Sequence, residues 1–366
     1  MLKDQLPWIV LGIVVVVLVV AGIVLSRVDV TSPVSLRRRV RPHRGHFRNG
    51  EVPPADLKQA AIVINPTKFT DQGPVRERIA ATCRAVGWGE PLFYETTAED
   101  PGRGQAMQAV KDGAKVVCSL GGDGTVRHVA SGLVGTETPL GILPGGTGNL
   151  LARNLDLPVD AFDTAMTVAL TGRNRRIDVG ELVLGDTDRD GNPVGPSESH
   201  YFLVISGIGM DAAIMAGTNE NLKSKVGWAA YMLSGVKSLV SPEFRTTIRL
   251  DTDPEFRRRA RGVMIGNCGR LLGGLVLMPN ARVDDNQLDV VIASPKGVVG
   301  WVPVATRVLT RQRKGHPTLD QRTCQEVRVR VDRPLPVQVD GDVVGEATEV
   351  NAIVRPGVLS VRVSAT

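Results

Sequence analysis

Residues Ser119–Asn149 read SLGGDGTVRHVASGLVGTETPLGILPGGTGN. An apolar run, Val116–Leu120, ends there in Gly121-Gly122-Asp123-Gly124-Thr125. Helical spacing follows, with Val126, Val129, Ala130 and Leu133 on one face. A second apolar run, Leu140–Leu143, leads into Pro144-Gly145-Gly146-Thr147-Gly148-Asn149. Two glycine-rich turns thus stand at the carboxyl ends of two expected strands, each ahead of an expected helix. Open α/β sheets bind ligands at that edge. Glycine lets backbone N–H groups approach an anion, and a helix N-terminus adds favourable polarity. There is no GxxxxGK(S/T) and no GxGxxG after a strand, so neither a P-loop nor a dinucleotide fingerprint is present.

Outward from this stretch the pattern repeats. Ala60–Ile64 reads as a buried strand, followed by Asn65-Pro66-Thr67-Lys68. Val75–Val86 reads as a helix with Val75, Ile79, Ala80, Cys83 and Val86 on one stripe. Pro91–Tyr94 reads as a strand, Gly104–Asp112 as a helix, and Ala161–Leu170 as the last helix of this part. Alternating strands and helices imply a parallel sheet with right-handed crossovers. Residues 59–174 therefore read as a nucleotide-binding α/β domain.

After Arg176 the pattern turns to short β-type runs: Ile177–Leu184, Tyr201–Ser206, Thr246–Leu250, Gly262–Gly266, Leu288–Ile292, Val327–Val331 and Val337–Val339. Two helical patterns, Asn221–Val240 and Val298–Thr310, interrupt them. Residues 175–366 read as a second, β-rich domain. Val358–Val363 is a final strand that the pattern assigns to neither sheet. The polar insert Gly185–His200 carries Asp186, Asp188, Asp190 and Gly191, the opening of a calcium-loop pattern. Ser197 stands where that loop needs Glu, and Pro193 interrupts it, so a solvated hairpin loop is the better reading.

The N-terminus differs from both parts. Trp8–Leu25 is an unbroken apolar run, roughly 27 Å long as a helix and apolar all round. No small-residue cleavage site follows it, and only Lys3 precedes it beside Asp4, which argues against a signal peptide. Residues 1–28 read as a single transmembrane anchor and 29–58 as a basic juxtamembrane linker. Arg37, Arg38, Arg39, Arg41, Arg44 and Arg48 follow the span with no acidic residue among them. By the positive-inside rule the bulk of the chain lies in the cytoplasm. The cluster would lie against anionic headgroups, unless it serves only to set topology.

The net charge is +6 over 366 residues, and this cluster accounts for it. The basic balance is therefore local, not a nucleic-acid footprint. Four cysteines, Cys83, Cys118, Cys268 and Cys324, are far apart and form no CxxC, so neither a disulfide framework nor a zinc site is indicated. Cys118, in an apolar strand, reads as a small buried hydrophobe.

The central stretch resembles the diacylglycerol kinase catalytic domain, in the superfamily that also holds sphingosine kinases and NAD kinases. Gly-Gly-Asp-Gly-Thr is that family's main signature. Pro-Xaa-Gly-Thr-Gly-Asn-Xaa-Xaa-Ala-Arg is its second, here from Pro144 to Arg153 with one extra Gly. The resemblance implies phosphoryl transfer from ATP to a lipid hydroxyl, with Mg²⁺. Catalysis there is positioning plus charge stabilisation. The expected nucleotide-binding residues are Asn65, Gly121, Gly122, Asp123, Gly124, Thr125, Gly145, Gly146, Thr147 and Asn149. Thr125 and Thr147 can add hydroxyl donors. A carboxylate inside a phosphate cradle suggests a cation, so Asp123 is the expected Mg²⁺ ligand; the competing reading is a turn-stabilising Asx residue. Lys68 either touches a phosphate or is a surface lysine, and the surface reading is preferred.

Gln338-Val339-Asp340-Gly341-Asp342 resembles the family's Val-Asp-Gly-Glu motif. The resemblance implies Asp340 as the acceptor base and Asp342 in the supporting role of the Glu. On the residues alone, Asp-Gly between β runs is a hairpin turn. Asp340→Asn is expected to keep shape, turn propensity and melting temperature while removing the base. Gly207-Ile208-Gly209-Met210-Asp211-Ala212 resembles the family's Gly-Phe-Asp-Ala turn, with Asp211 facing a headgroup. Met278-Pro279-Asn280-Ala281 and Asp284-Asp285-Asn286-Gln287-Leu288-Asp289 resemble a further segment, where the resemblance implies a structural Mg²⁺ at Asp285. Asn286 replaces a glycine there, and Asn tolerates positive φ. One departure stands out. The family has Asn-Glu where this chain has Arg127-His128, which keeps a catalytically impaired reading open, or brings Arg127 to a phosphate.

The expectation is a single-pass plasma-membrane lipid kinase using ATP and Mg²⁺, with diacylglycerol as default acceptor, no nucleic-acid partner, and room for a homodimer. A sphingoid base, ceramide or glycolipid is the alternative acceptor, since each also presents one hydroxyl to an apolar groove. The alternative from another class is a nucleotide-binding membrane regulator without turnover.

Overall fold

Strand β1 (Ala60–Ile64) consists of five residues with no solvent exposure. A strand apolar on both faces is what a parallel sheet covered by helices requires. In the computed structural model, which describes residues 57–187, 193–209, 242–271, 276–295 and 319–365, β1 has two parallel neighbours. They are β2 (Leu92–Glu95) and β3 (Val116–Gly121). Strand β3 in turn pairs in parallel with β4 (Leu140–Pro144). Helices α1 (Gly73–Ala85), α2 (Arg103–Lys111) and α3 (Asp123–Leu133) make the crossovers. A short α4 (Leu150–Asn154) and α5 (Phe162–Thr171) follow β4. Helix α1 buries Ile79, Ala80 and Cys83, the centre of its expected stripe, while Val75 and Val86 pack at its margin. One face of the sheet buries Ile62, Leu120, Leu143 and Met166, and the other Val63, Val117, Val129, Leu133 and Ile142. Each fully buried aliphatic side chain contributes roughly 1.5–3 kcal/mol, so these two layers hold the parallel sheet in place.

The rest of the described chain is β-rich. Its strands are β5 (Arg173–Thr187), β6 (Pro193–Phe202), β7 (Ile205–Gly209), β8 (Phe244–Leu250), β9 (Phe256–Ala260) and β10 (Gly262–Gly266). Then come β11 (Leu288–Ala293), β12 (Leu319–Cys324), β13 (Glu326–Val339) and β14 (Asp342–Val363). They pair antiparallel around a core that includes Phe202, Ile208, Ile248, Val263, Val290 and Val337. Strands β5 and β6 form an antiparallel pair that takes up most of the polar insert, so Gly185–Thr187 and Pro193–His200, which the sequence reads as a loop, are strand. There Asp186 accepts from the N–H of Thr348, and residues 188–192 lie outside the described residues.

The two parts share one sheet, in the order β12-β11-β10-β7-β13-β14-β4-β3-β1-β2. The junction is the last strand. β14 pairs antiparallel with β13 and β5, and its end pairs in parallel with β4 at Val361 and Leu140. The run Val358–Val363, which the sequence pattern leaves unassigned, thus closes the free edge of the parallel sheet.

Trp8–Leu25, Arg37–Arg48, Asp211, Asn221–Val240 and Val298–Thr310 lie outside the described residues. Among the described residues no helix is long and apolar enough to cross a membrane. All four cysteines are buried free thiols.

Candidate active site

Because β1, β3 and β4 are parallel, their carboxyl ends place Asn65, Gly121–Thr125 and Gly145–Asn149 along one edge. The two glycine turns touch each other. The N–H of Gly145 donates to the carbonyl of Gly121 at 3.1 Å. A Cβ on Gly146 would come within 2.7 Å of the Gly122 Cα, a distance real Cβ atoms do not adopt. Glycine is required there for close approach of one backbone to the other. Asn149 closes the second turn in the left-handed region, φ 48°, and its Nδ2 donates to the Gly146 carbonyl at 2.8 Å. Arg153 Nε donates to the Gly148 carbonyl, a further brace on this turn.

Asp123 opens α3. Its Oδ1 accepts from the N–H of Leu150 at 2.6 Å, and its Oδ2 faces Gly148. The carboxylate therefore caps α4 and ties the first turn to the second. Burial pushes the Asp123 carboxyl up, while N–H donors from Leu150 and Asn149 and the charge of Arg153 pull the other way. Thr125 turns inward: it is 6 % exposed, and its hydroxyl accepts from Asn65 Nδ2 at 3.4 Å. The other end of the Asn65 amide accepts from the N–H and hydroxyl of Thr67. Thr147, by contrast, is exposed at the turn. Lys68, for which the sequence favours a surface role, lies half-buried, with Cε 4.0 Å from where a Cβ of Gly122 would stand. Its position directly after the Asn-Pro turn of β1 is the signal that marks it.

The Asp-Gly pair joins β13 to β14 as a two-residue turn, with φ of 49° at Asp340 and 94° at Gly341. Both signs match a hairpin turn of the primed type. The turn is also a clamp. Asp340 is 8 % exposed. Its Oδ2 accepts from the N–H of Leu203 at 2.8 Å, and its Oδ1 from those of Val204 and Ile205 at 2.9 and 3.0 Å. Burial pushes the Asp340 carboxyl up; the three N–H donors and the Arg127 charge oppose that shift. Gly341 N–H donates to Gln338 Oε1, which holds the turn from within.

Asp342 reaches the nucleotide half. Its Oδ2 accepts from Arg127 Nη2 at 2.7 Å and lies 3.1 Å from where a Cβ of Gly124 would stand. The structure thus brings the tip of the β13–β14 hairpin to the first turn of α3. His128 stands beside this contact, with Nε2 3.3 Å from Arg127 Nη2. Burial, then the neighbouring Arg127 charge, push its pKa down to about 4. Arg127 is therefore a member of the site that motif matching flags only as a departure.

Asp285 is placed differently. Its turn has Asn286 at φ 61°, as the exchange of Gly for Asn allows. The N–H of Asn286 donates to Asp178 Oδ2, and the N–H of Gly357 donates to Asp178 Oδ1. Asp178, buried and not marked by the sequence, organises this turn. Burial raises the Asp285 pKa, and the nearby Asp178 charge adds to that, against the N–H donor of Gln287. Among the described residues no group of three or more His, Cys, Asp or Glu side chains stands ready to hold a metal.

Comparison with known proteins agrees with this geometry. Residues 59–182 match the family described as "Diacylglycerol kinase catalytic domain", and residues 204–363 match "YegS C-terminal NAD kinase beta sandwich-like domain". The "Probable lipid kinase YegS-like" protein of Pseudomonas aeruginosa PAO1 is 32% identical over 250 residues, covering 66% of this chain and 75% of that protein. The "Diacylglycerol kinase" of Staphylococcus saprophyticus is 26% identical over 296 residues, covering 79% and 90%. A crystal structure of a putative diacylglycerol kinase from Bacillus anthracis superposes with a TM-score of 0.63 at 20% identity, covering 84% of this chain and 97% of that one. The last similarity speaks for the fold.

Proposed function

The chain belongs to the diacylglycerol kinase-like family and is an ATP-dependent lipid kinase, and we propose that diacylglycerol is its acceptor, Mg²⁺ its metal and the cell membrane its place of work. One observation carries this reading: Asp340 and Asp342 sit on a hairpin tip docked at the start of the helix that follows the first glycine turn.

The reaction then follows from the parts. The glycine turns supply N–H groups for the phosphates, with Thr147 and Lys68 at their rim. Each carboxylate oxygen has two acceptor lone pairs, so Asp340 Oδ2, with the N–H of Leu203 on it, keeps capacity for the acceptor proton. The lipid hydroxyl oxygen bonds to the γ-phosphorus, the bond from that phosphorus to the β-γ bridging oxygen breaks, ADP leaves, and the hydroxyl proton passes to Asp340. Asp123 suits Mg²⁺, which commonly binds through one or two carboxylates together with phosphates and waters. When bound, the ion would neutralise phosphate charge.

In the same reading Trp8–Leu25 spans the membrane with the remainder in the cytoplasm, and Arg37–Arg48 lie on anionic headgroups. A tether raises the local concentration of a substrate that is itself confined to the bilayer. The test is transfer of radiolabelled γ-phosphate from ATP into extracted membrane lipids, with the product identified. Labelled phosphatidic acid is expected. A labelled sphingoid base or glycolipid would reassign the acceptor, and an unlabelled lipid fraction would overturn the reading.

A further inference from the structure

We propose that Arg127 is a positioning residue for phosphoryl transfer, its buried guanidinium holding Asp342, and through it the Asp340–Asp342 turn, against α3. The inference rests on the kinase reading above and adds to it a residue that lies outside both glycine motifs.

The pair is asymmetric. The Arg127 side chain is 7 % exposed, while that of Asp342 is 55 % exposed. A charge is rarely buried so far unless it is paired. Here the buried partner has one carboxylate, 2.7 Å from Nη2, and its Nε is buried with no hydrogen-bond partner among the described residues. An incompletely satisfied buried cation is a poor device for stability, because desolvation offsets the attraction. It is a good device for fixing one carboxylate in one place. The guanidinium is planar and rigid, and α3 carries it at a fixed height above the first glycine turn.

What is fixed is the spacing between halves of the site. The Asp342 Oδ2 that meets Arg127 also lies 3.1 Å from where a Cβ of Gly124 would stand. Two residues before it, Asp340 grips the N–H groups of residues 203–205. A path of contacts thus runs from α3 through Arg127, Asp342 and Gly341 to Asp340. Remove Arg127 and the acidic turn loses its tie to the phosphate-binding helix. A misplacement of about 1 Å costs on the order of 10²-fold in rate.

The test is steady-state lipid phosphorylation in mixed micelles by wild type, Arg127→Ala, Arg127→Lys, Asp342→Asn and the double variant Arg127→Ala/Asp342→Asn. Binding of ATP is measured in parallel by titration calorimetry. Expected are a fall in kcat of about 10²-fold for Arg127→Ala with ATP affinity within about 2-fold of wild type, and partial recovery with Lys. The double variant should be no slower than the slower single variant, because both singles break one contact. A loss that appears in ATP affinity and not in kcat would place Arg127 on a phosphate and overturn positioning. So would wild-type turnover in Arg127→Ala, or independent, multiplying losses in the double variant. Should Arg127→Ala fail to fold, the Lys and Asp342→Asn variants carry the same comparison: a kcat unchanged in both overturns the proposal. A wild type that labels no lipid sinks the kinase reading and this inference together, whereas an active wild type isolates the inference.

Discussion

The carboxylate of Asp123 accepts a 2.6 Å hydrogen bond from the backbone N–H of Leu150, so a residue of the first glycine turn caps the helix after the second. The two candidate roles of Asp123, turn residue and cation ligand, are then separable by substitution. Asp123→Ala removes the cap and should cost about 1–3 kcal/mol of stability, read from chemical denaturation. Asp123→Asn keeps an acceptor oxygen and should retain most of that stability. It should still weaken Mg²⁺-ATP far more than metal-free ATP. Equal weakening in both titrations would leave Asp123 as a cap alone.

Gly146→Ala tests the contact between the turns. The added Cβ meets Gly122 backbone at 2.7 Å, and backbone cannot rotate aside as a side chain does. The loops must part, at about 1–3 kcal/mol. ATP affinity should fall by about tenfold or more, each 1.4 kcal/mol being tenfold in binding. A variant that binds ATP like wild type would show that the turns are not a joint cradle.

Asp340→Asn has a consequence that the turn motif alone does not contain. The motif suggests a silent exchange in shape and stability. The structure corrects this, because both oxygens face backbone N–H donors. An Asn amide turns an NH₂ toward one set of them. Stability should fall by about 1–3 kcal/mol, and turnover by roughly 10²-fold or more. Calorimetric melting and lipid phosphorylation, run at a temperature where both proteins are folded, separate the two effects. An unchanged melting temperature would contradict the clamp.

His128 gives an acid-side signature. Its pKa in the folded chain, about 4, lies below the ordinary 6.5. Between those values the unfolded chain holds a proton that the folded chain does not, so stability rises with pH there. This contribution is complete above pH 6.5 and is lost as pH falls toward 4. The Asp123 and Asp340 carboxyls, pushed up by burial, act in the opposite sense at the acid end. His128→Gln should flatten the fall in melting temperature between pH 6.5 and pH 5. Parallel melting curves for the two proteins over that range would refute it.

The proposed membrane span is tested on the full chain. It should stay with membranes through a high-salt wash, since an apolar span is insensitive to screening. Replacing Arg37, Arg38, Arg39 and Arg41 by Gln should weaken the contact with anionic vesicles by about 1 kcal/mol per residue while leaving the span inserted. Release of the intact protein by salt would remove the anchor from the account.

Local pattern carried much of this molecule. The runs Ala60–Ile64 and Val116–Leu120 and the turns after them are legible because strand apolarity and glycine chemistry are local properties. Strands β13 and β14 are less legible. Register shifts between Arg330 and Leu335 and between Arg355 and Leu359 break their alternation, so the pattern shows separate short runs. The pairing of Arg127 with Asp342 joins positions 215 apart in sequence, and no periodicity encodes such a contact. No local pattern marks Asp178 for a related reason: its partners, the N–H groups of Asn286 and Gly357, are set by tertiary packing.

The pairing of Val361 with Leu140 also orders events in time. On the ribosome the parallel strands emerge first, yet β4 keeps an open, apolar edge until the last residues of β14 follow. The nucleotide-binding half is synthesised early and finished late. A chain arrested before Leu359 would carry both glycine motifs and the hairpin tip, and still lack the end of β14 that pairs with β4.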